Sequence, residues 1–208
     1  MRQSVYQRIQ VKKEMQPKLS ILIPTLKSRF KTLKSQVDRI EYQRQQKPVQ
    51  VLWLGDNKSI TIGTKRNLLL DISMGEYVCF VDDDDIVSTN YVESILKAIE
   101  DNPNKKVFTF LGEQNDNGTP TCDFRYSIEY GRNHKRKIEG KEWKVMLPDH
   151  LCIWKKEVIK ERFPNKQLGE DHDFAQLMTK HYTKEDEFEI NEYLYFYDYN
   201  RSTTECRS

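Results

Sequence analysis

The sequence has little cysteine and no long apolar run, and both shortages limit what the protein can be. Four cysteines in 208 residues stand far apart, with no C-x-x-C pair, so no zinc finger is predicted. No run of about 18 apolar residues occurs, so we expect no transmembrane helix. Residues 1–18 are polar and lack a signal-peptide core. These absences favour a soluble protein in the reducing cytoplasm.

The sequence also lacks an excess of charge of one sign. Lys and Arg number 34 against 32 Asp and Glu, and the net charge of +2 gives no global reason to expect nucleic acid or an acidic membrane as partner. A chain of this length buries one substantial core. We therefore expect a single domain over residues 1–208, with residues 1–17 as a polar extension.

Acidic residues are instead concentrated at one point, the aspartate tract of Asp82, Asp83, Asp84 and Asp85. The tract follows an apolar run, residues 77–81, that is typical of a buried strand. Adjacent carboxylates repel one another unless a cation lies among them. Mg²⁺ and Mn²⁺ are the cations that carboxylate oxygens prefer. The alternative is a solvated turn in which Asp85 caps the following helix.

The first half of the chain alternates between strand and helix patterns. Apolar runs indicate strands, the first ended by Pro24, and apolar residues at three- and four-residue steps indicate helices, the third with Ser88 as its N-cap. This alternation predicts parallel strands joined by crossover helices. The predicted strands are 19–23, 49–54 and 77–81, and the predicted helices are 28–46, 61–74 and 88–100.

The second half has a different pattern. An antiparallel pair is predicted around a turn at residues 115–118, followed by a basic loop or ribbon at 131–144. Together the halves predict a three-layer α/β/α fold with a mostly parallel central sheet and a smaller antiparallel part. The remaining predictions are strands 106–112, 121–130 and 188–197 and helices 154–162 and 170–182.

Two more polar clusters lie at predicted strand ends or helix starts. Asp56 ends a strand, and Arg66 begins a helix from which a guanidinium can bind a diphosphate. A turn aspartate and a solvated arginine are equally good interpretations. Glu170, Asp171 and Asp173 begin a helix, where carboxylates often serve only the helix dipole. Three acids and a histidine, His172, in four residues exceed that need, and one of the acids can act as a general base.

Five motifs follow one another along the chain. They are Pro24-Thr25, Gly55-Asp56-Asn57, Gly63-Thr64-Lys65-Arg66-Asn67, the aspartate tract and Gly169-Glu170-Asp171. Their order and spacing resemble those of family 2 glycosyltransferases with the GT-A fold, over about residues 19–182. The resemblance implies inverting transfer of one sugar from a nucleotide-diphosphate sugar, with UDP as the expected carrier, to an acceptor hydroxyl. It also implies Mn²⁺ or Mg²⁺ as cofactor.

The resemblance assigns the donor side residue by residue. Pro24, Thr25 and Asp56 would line the nucleobase pocket, Arg66 would hold the nucleotide, and Asp82 would approach the ribose and the donor sugar. The loop Gly-Asp-Asn-Lys-Ser departs from the usual Asp-Asp-Gly-Ser type, which leaves the base identity open. Residues 19–112 would form this nucleotide-sugar half.

The resemblance also assigns the metal and the base. Asp84 would ligate the metal, Asp83 would contact the donor, and Asp171 would take the proton from the acceptor. Asp83 fills a position that is often small, so the metal ligand can also be read one residue off. Arg201, in a tail of residues 199–208, would reach the diphosphate.

The acceptor half would be residues 113–198. His150, Trp154 and Glu170 are candidates for the acceptor side, since an aromatic face stacks on a sugar ring. The chain ends soon after Tyr197, which favours transfer of a single sugar. A glycan, a lipid-linked sugar, a protein and a modified DNA base all remain open as acceptors.

Other functions fit parts of the pattern. A phosphatase of the haloacid-dehalogenase type needs Thr or Val where Ile86 stands. A GT-A-like nucleotidyltransferase usually has glycine in the loop after its first strand, and residues 25–29 have none. A non-catalytic nucleotide-sugar or nucleic-acid binding module is a further alternative. The basic stretch 132–144 is the only feature that favours nucleic acid, and a solvated loop is the other interpretation of it.

Overall fold

The computed structural model describes residues 16–131 and 134–199 of the chain, in which ten strands form one sheet and four α-helices pack beside it. The strands are β1 (Leu19–Leu26), β2 (Val49–Asp56), β3 (Tyr77–Phe80), β4 (Ile86–Val87), β5 (Val107–Asp116), β6 (Thr119–Tyr126), β7 (His134–Ile138), β8 (Lys141–Met146), β9 (Ile153–Lys155) and β10 (Glu187–Tyr199), and the helices are α1 (Phe30–Arg44), α2 (Ile62–Ile72), α3 (Tyr91–Asp101) and α4 (Glu170–Thr179).

The first three strands form a parallel unit with β1 at its centre. Leu19 pairs with Val49 of β2 on one side and with Tyr77 of β3 on the other. Strands β2 and β3 lie on opposite sides of β1, so the connections through α1 and α2 run in opposite directions across the sheet. Right-handed crossovers therefore place α1 and α2 on opposite faces. The contacts agree, since α1 meets α3 and α2 meets α4. The carboxyl ends of the strands therefore meet at one edge, where the predicted site residues follow them.

The second half adds strands of mixed direction. The strand order is β2-β1-β3-β9-β5-β6-β8-β7, and β10 lies parallel to β5 and antiparallel to β4. Strand β9 is antiparallel to both β3 and β5, and β5 and β6 form the antiparallel pair expected from the sequence. The basic stretch forms the β7–β8 hairpin, so the ribbon interpretation of this stretch is correct over the described residues.

The core lies along β1 and β3, whose residues are buried on both faces. Central parallel strands of this kind consist of near-continuous apolar runs, which is the pattern that marked them in the sequence. Leu33 and Ile40 of α1 close one side of the core. Cys79 and Cys152 are buried free thiols, as predicted.

Pro24 does not end β1, which continues to Leu26, and the predicted strand end was wrong. Pro24 pairs with Leu54 of β2, whereas the pairing of β1 with β3 ends at Leu22 and Phe80. Beyond Leu22, β1 therefore pairs with β2 only. Proline is tolerated at such an edge because no second ladder needs its missing N–H.

Two helix predictions also differ from the structure. The helix predicted over residues 154–162 is reduced to a single 3₁₀ turn, Lys156–Val158, since Trp154 lies in β9 and pairs with Val78 and Val107. Tertiary pairing outweighs local helix propensity at this point. Helix α3 begins at Tyr91 after Asn90, not after Ser88, because the chain first forms the short β4. None of the described helices has the length and apolar character needed to span a bilayer.

Candidate functional site

The aspartate tract begins two residues after the end of β3, and its first member contacts two basic side chains. An Arg66 Nη2 hydrogen bond reaches Asp82 Oδ1 over 3.1 Å, and His150 Nε2 lies 3.4 Å from Asp82 Oδ2. Burial would raise the pKa of Asp82, but Arg66 and His150 outweigh it and hold this pKa well below its usual range. Asp82 is therefore an anion held in place from two sides.

Arg29 supplies the cation for the next two aspartates. Its Nη1 donates to Asp83 Oδ1 at 2.7 Å and its Nη2 donates to Asp84 Oδ2 at 2.5 Å. The guanidinium thus bridges both carboxylates in a planar fork. Thr25 Oγ1 donates to the other oxygen of Asp83 at 2.5 Å. In this structure an arginine offsets the repulsion that the sequence suggested a metal would offset.

Burial raises the pKa of both aspartates that Arg29 binds. It raises the pKa of Asp83 to about 6, against the lowering effect of Thr25 and Arg29. Burial and the neighbouring Asp82 charge raise the pKa of Asp84 as well. Burial makes the charged form of these carboxylates less favourable. A cation or a protonated ligand group bound beside them would stabilise that form.

Asp85 is held by the closing strand of the sheet. The Tyr195 hydroxyl donates to Asp85 Oδ2 at 2.6 Å and accepts a hydrogen bond from the backbone N–H of Asp82 at 3.1 Å. Asn90 is the N-cap of α3, so Asp85 is not the cap that the alternative interpretation required. One tyrosine of β10 therefore fixes both ends of the tract.

Arg66 is almost completely buried on α2, yet its guanidinium is only partly used. It lies 5.6 Å from the Phe80 ring and 5.7 Å from the Phe163 ring, and its Nε lies 3.4 Å from Glu170 Oε1. Within the described residues, its buried Nη1 has no hydrogen-bond partner. Burial raises the pKa of Glu170. A buried guanidinium with an unused N–H is suited to bind an anion.

These side chains line a first cavity of about 220 Å³ at the carboxyl edge of the sheet. Its walls combine the carboxylates that follow β3 with Arg29, which directly precedes α1, and Arg66 of α2, and the start of α4 closes one side. The lining residues are Pro24, Arg29, Ile62, Arg66, Asp82, Asp83, Asp84, Gln167, Leu168, Gly169, Glu170, Asp171 and Tyr197.

Asp171 lies where the first cavity meets a second one of about 320 Å³. Gly169, with φ of 74°, makes the left-handed turn that begins α4, and Asp171 follows in the first helical turn. Asp171 and Asp82 line both cavities, as does Tyr197. A carboxylate at this junction can contact groups bound in either cavity.

His150 and Trp154 occupy different environments. His150 lines the second cavity, whereas Trp154 packs in the core against Phe174 and is not among the residues of either cavity. Burial and Arg66 lower the pKa of His150, but Asp82 and Asp149 outweigh them and raise it overall. Burial raises the pKa of Asp149, also in the second cavity, to about 6. Trp154 orients Asp149 by donating to its backbone oxygen at 2.9 Å.

Asp56 and Thr25 lie beside the first cavity without lining it. Asp56 Oδ2 accepts from the backbone N–H groups of Ser59 and Ile60 at 2.5 and 2.9 Å, and Lys65 forms an ion pair with Asp56. Burial would raise the pKa of Asp56, but Lys65 and these loop hydrogen bonds hold it far below its usual range. Asp56 thus fixes the loop after β2, and its contact with a nucleobase stays a prediction.

Several residues at the site were not predicted. Arg29, Asp149, Tyr195 and Tyr197 have no distinctive local motif, although alternation along the tyrosine-rich β10 was a usable signal for the last two. Arg201 lies outside the described residues. On the basic hairpin, Lys135 and Lys141 form ion pairs with Glu142 and Asp123.

The ligand atoms that the site offers determine which metal ion it can hold. Over residues 16–131 and 134–199, no three His, Cys, Asp or Glu side chains are grouped to hold an ion by themselves. Asp84 nevertheless offers hard oxygen atoms to the first cavity, which Arg66 also lines. Mg²⁺ and Mn²⁺ are commonly bound by one or two carboxylates together with substrate phosphates. The residues fit an ion that a bound diphosphate helps to hold.

Comparisons with known proteins agree with this description. The family model for glycosyl transferase family 2 matches residues 20–163. A comparison with curated proteins finds no match. The fold is similar to that of S. aureus TarS residues 1–349, with 18% identity and a TM-score of 0.58 over 87% of this chain and 60% of that chain.

Two further TarS structures contain nucleotide ligands. The complex with UDP has a TM-score of 0.60 at 16% identity, over 88% of this chain and 60% of that one. The complex with UDP-GlcNAc has a TM-score of 0.56 at 17% identity, over 90% and 61%. The chain spans about 60% of the length of these relatives. The likeness confirms the predicted GT-A fold.

Proposed function

The chain belongs to glycosyl transferase family 2, and we propose that it transfers one sugar from a nucleoside diphosphate donor to an acceptor hydroxyl. The position of Asp171 between two adjacent cavities carries the proposal, because a transferase needs a base between donor and acceptor. The first cavity is the donor site. UDP is the expected carrier, since the related TarS structures are complexes with UDP and UDP-GlcNAc.

The reaction is a single displacement at the anomeric carbon. Asp171 accepts the proton of the acceptor hydroxyl while that oxygen forms a bond to the anomeric carbon. The bond between this carbon and the diphosphate oxygen breaks, and its electron pair leaves with the nucleoside diphosphate. Attack from the face opposite the leaving group inverts the anomeric configuration. The protein accelerates this step mainly by positioning the donor and the acceptor and by base catalysis through Asp171.

The donor is held by charge. Arg66 directs its unused Nη1 toward the diphosphate, and Arg29 supplies a second guanidinium at the same cavity. Asp82, fixed by Arg66 and His150, accepts hydrogen bonds from sugar hydroxyls. A Mn²⁺ or Mg²⁺ ion bound by Asp84 and the phosphates would neutralise negative charge on the departing diphosphate. Pro24, Thr25 and Asp56 face the nucleobase in this proposal, and Arg201 reaches the diphosphate.

A donor screen tests the proposal. Purified protein is incubated with UDP-, GDP-, dTDP- and CDP-sugars, with and without Mn²⁺, and released nucleoside diphosphate is measured. We expect metal-dependent release from one donor, and loss of release in Asp84→Ala. In the presence of an acceptor, Asp171→Asn lowers the transfer rate by about 10²–10⁴-fold, the usual contribution of a general base.

Asp173→Asn is the matched control, because Asp173 lies in the same helical turn but is ion-paired to the exposed Lys166. It should retain the wild-type rate. Calorimetry with UDP, GDP, dTDP and CDP, with and without Mn²⁺, separates the alternatives. Nucleotide binding without release from any donor would favour a binding module, and no metal-dependent nucleotide binding at all would reject the transferase. A nucleotidyltransferase would instead form a nucleotide-sugar from nucleoside triphosphate.

A further inference from the structure

The second cavity has a charge pattern that the proposed function does not explain. Its walls combine aromatic and apolar side chains with three carboxylates, two of which also line the first cavity, and a single ammonium on β8. Its volume of about 320 Å³ is at the low end for small-molecule sites, so it fits a group of about monosaccharide size. The lining residues are Asp82, Gln114, Phe124, Tyr126, Lys144, Met146, Asp149, His150, Leu151, Asp171 and Tyr197.

Sheet register places Lys144 in this wall. Lys144 of β8 pairs with Phe124 of β6, and both residues line the cavity. Alternation along β8 puts Met146 on the same side as Lys144, whereas Trp143 and Val145 pack on the other face in a separate small core. The ammonium is therefore part of the cavity and not of the hairpin's outer surface.

Lys144 differs from its neighbours in its partner. Its Nζ donates to the neutral amide oxygen of Gln114 at 3.3 Å, and no carboxylate in the described part of the chain lies within ion-pair distance of it. On the same hairpin, Lys135 and Lys141 are each paired with an acid. Partial burial removes water from the Lys144 ammonium, and no neighbouring negative charge compensates for this loss of hydration. An anionic ligand would supply that charge.

Resting on the proposed function, we propose that the second cavity binds the acceptor and that this acceptor is a carbohydrate bearing an anionic group, a phosphate or a carboxylate. Lys144 and Gln114 bind the anion. Tyr197, the half-buried aromatic side chain of this cavity, supplies a ring face for the sugar. The acceptor hydroxyl then lies at the opposite side of the cavity, where Asp171 takes its proton. The carboxylates on that side repel the anionic group of the acceptor. The acceptor therefore binds with its anion at Lys144 and its hydroxyl toward Asp171.

Direct binding measurements test this assignment. Inorganic phosphate, glucose 6-phosphate, glucuronate and glucose are titrated into the full chain and followed by amide NMR shifts around Phe124 and Lys144. We expect the phosphate or carboxylate sugar to bind at least tenfold more tightly than glucose, and the better of the two identifies the anion. Lys144→Met should weaken that binding at least tenfold, and Lys144→Arg should retain most of it.

Lys137→Met is the control, since Lys137 is exposed on the same hairpin and lines no part of this cavity. It should bind like wild type. Equal affinity for glucose and the charged sugars, or unchanged affinity in Lys144→Met, would overturn the assignment. Titration of UDP, GDP, dTDP and CDP into the same samples tests the donor site independently. Anion binding without binding of any of these nucleotides would reject the proposed function and leave the anion site standing.

Discussion

Asp149 is a buried residue whose ionisation should affect folding stability. Burial raises its pKa to about 6 from an ordinary value of 3.8. Between these values the folded chain keeps a proton that the unfolded chain has lost, so stability falls as pH rises through this window. Above pH 6 the loss is complete.

We therefore expect Asp149→Asn to stabilise the protein at pH 8 and to have little effect near pH 4. A difference of 2.2 pH units corresponds to about 3 kcal/mol at most. Urea unfolding at both pH values measures this difference. Asp123→Asn, on the surface strand β6, is the comparison. Equal stabilisation by Asp149→Asn at the two pH values would contradict the titration argument.

Arg29 is the second residue with a measurable charge effect. Its side chain is 19% exposed and bridges Asp83 and Asp84. Arg29→Gln leaves these carboxylates without their guanidinium, and we expect a loss of about 1–3 kcal/mol at pH 8, less than for a fully buried pair. Added Mn²⁺ should stabilise this variant more than wild type, because the ion replaces the missing charge.

Thermal unfolding with and without Mn²⁺ measures the effect. Arg162→Gln serves as the control, because Arg162 is ion-paired to Asp71 on the surface. If Mn²⁺ shifts the melting temperature of Arg29→Gln and wild type equally, the ion and the guanidinium do not share a site.

At the scale of elements, β10 keeps the aspartate tract in shape. Tyr195 is completely buried and its hydroxyl joins Asp85 to the backbone of Asp82. Tyr195→Phe leaves a buried carboxylate oxygen and a buried N–H without this partner. We expect a loss of about 1–3 kcal/mol in the free energy of unfolding and weaker UDP binding. Tyr193→Phe, on the same strand but bonded to exposed Lys141, should change UDP binding little.

Helix α2 depends on a close approach at Gly63. A Cβ atom there would lie 2.0 Å from the backbone oxygen of Pro164, so any side chain forces the helix away from this segment. Gly63→Ala should cost about 1–3 kcal/mol through overpacking, despite the better helix propensity of alanine. Arg66 lies one turn further on, so UDP affinity should fall as well.

Chemical denaturation and UDP calorimetry test the Gly63 prediction together. Leu68→Ala is the comparison variant, since Leu68 is on α2 but is 45% exposed. Unchanged stability in Gly63→Ala would show that the segment around Pro164 yields easily.

For the whole molecule, ligand binding should be visible as stability. UDP with Mn²⁺ at 100 times its dissociation constant should add about 2.7 kcal/mol to the free energy of unfolding. In a chain of this size that corresponds to a rise of about 5–10 °C in melting temperature. Asp84→Asn should lose the part of the rise that depends on Mn²⁺ and keep the part due to UDP alone. Asp101→Asn, an exposed surface acid, should keep both. A metal-dependent rise that survives in Asp84→Asn would place the ion elsewhere.

Local patterns were sufficient for much of the fold. The apolar runs of β1 and β3 and the amphipathic pattern of α1 depend on burial that repeats along the chain, so the sequence predicted them. Trp154 shows the limit. Its neighbourhood resembles a short helix, but pairing with Val78 and Val107, both distant in sequence, made it a strand.

The sequence by itself determined the family, the α/β alternation and the clusters around Arg66, Asp82–Asp84 and Asp171, because these depend on residue types in a fixed order. Tertiary structure alone decided which charges meet. Arg29 reaches Asp83 and Asp84 across more than 50 residues, and Lys144 enters a cavity shared with Asp171. Such pairings depend on sheet order and register, which bring distant side chains together and which local patterns do not specify.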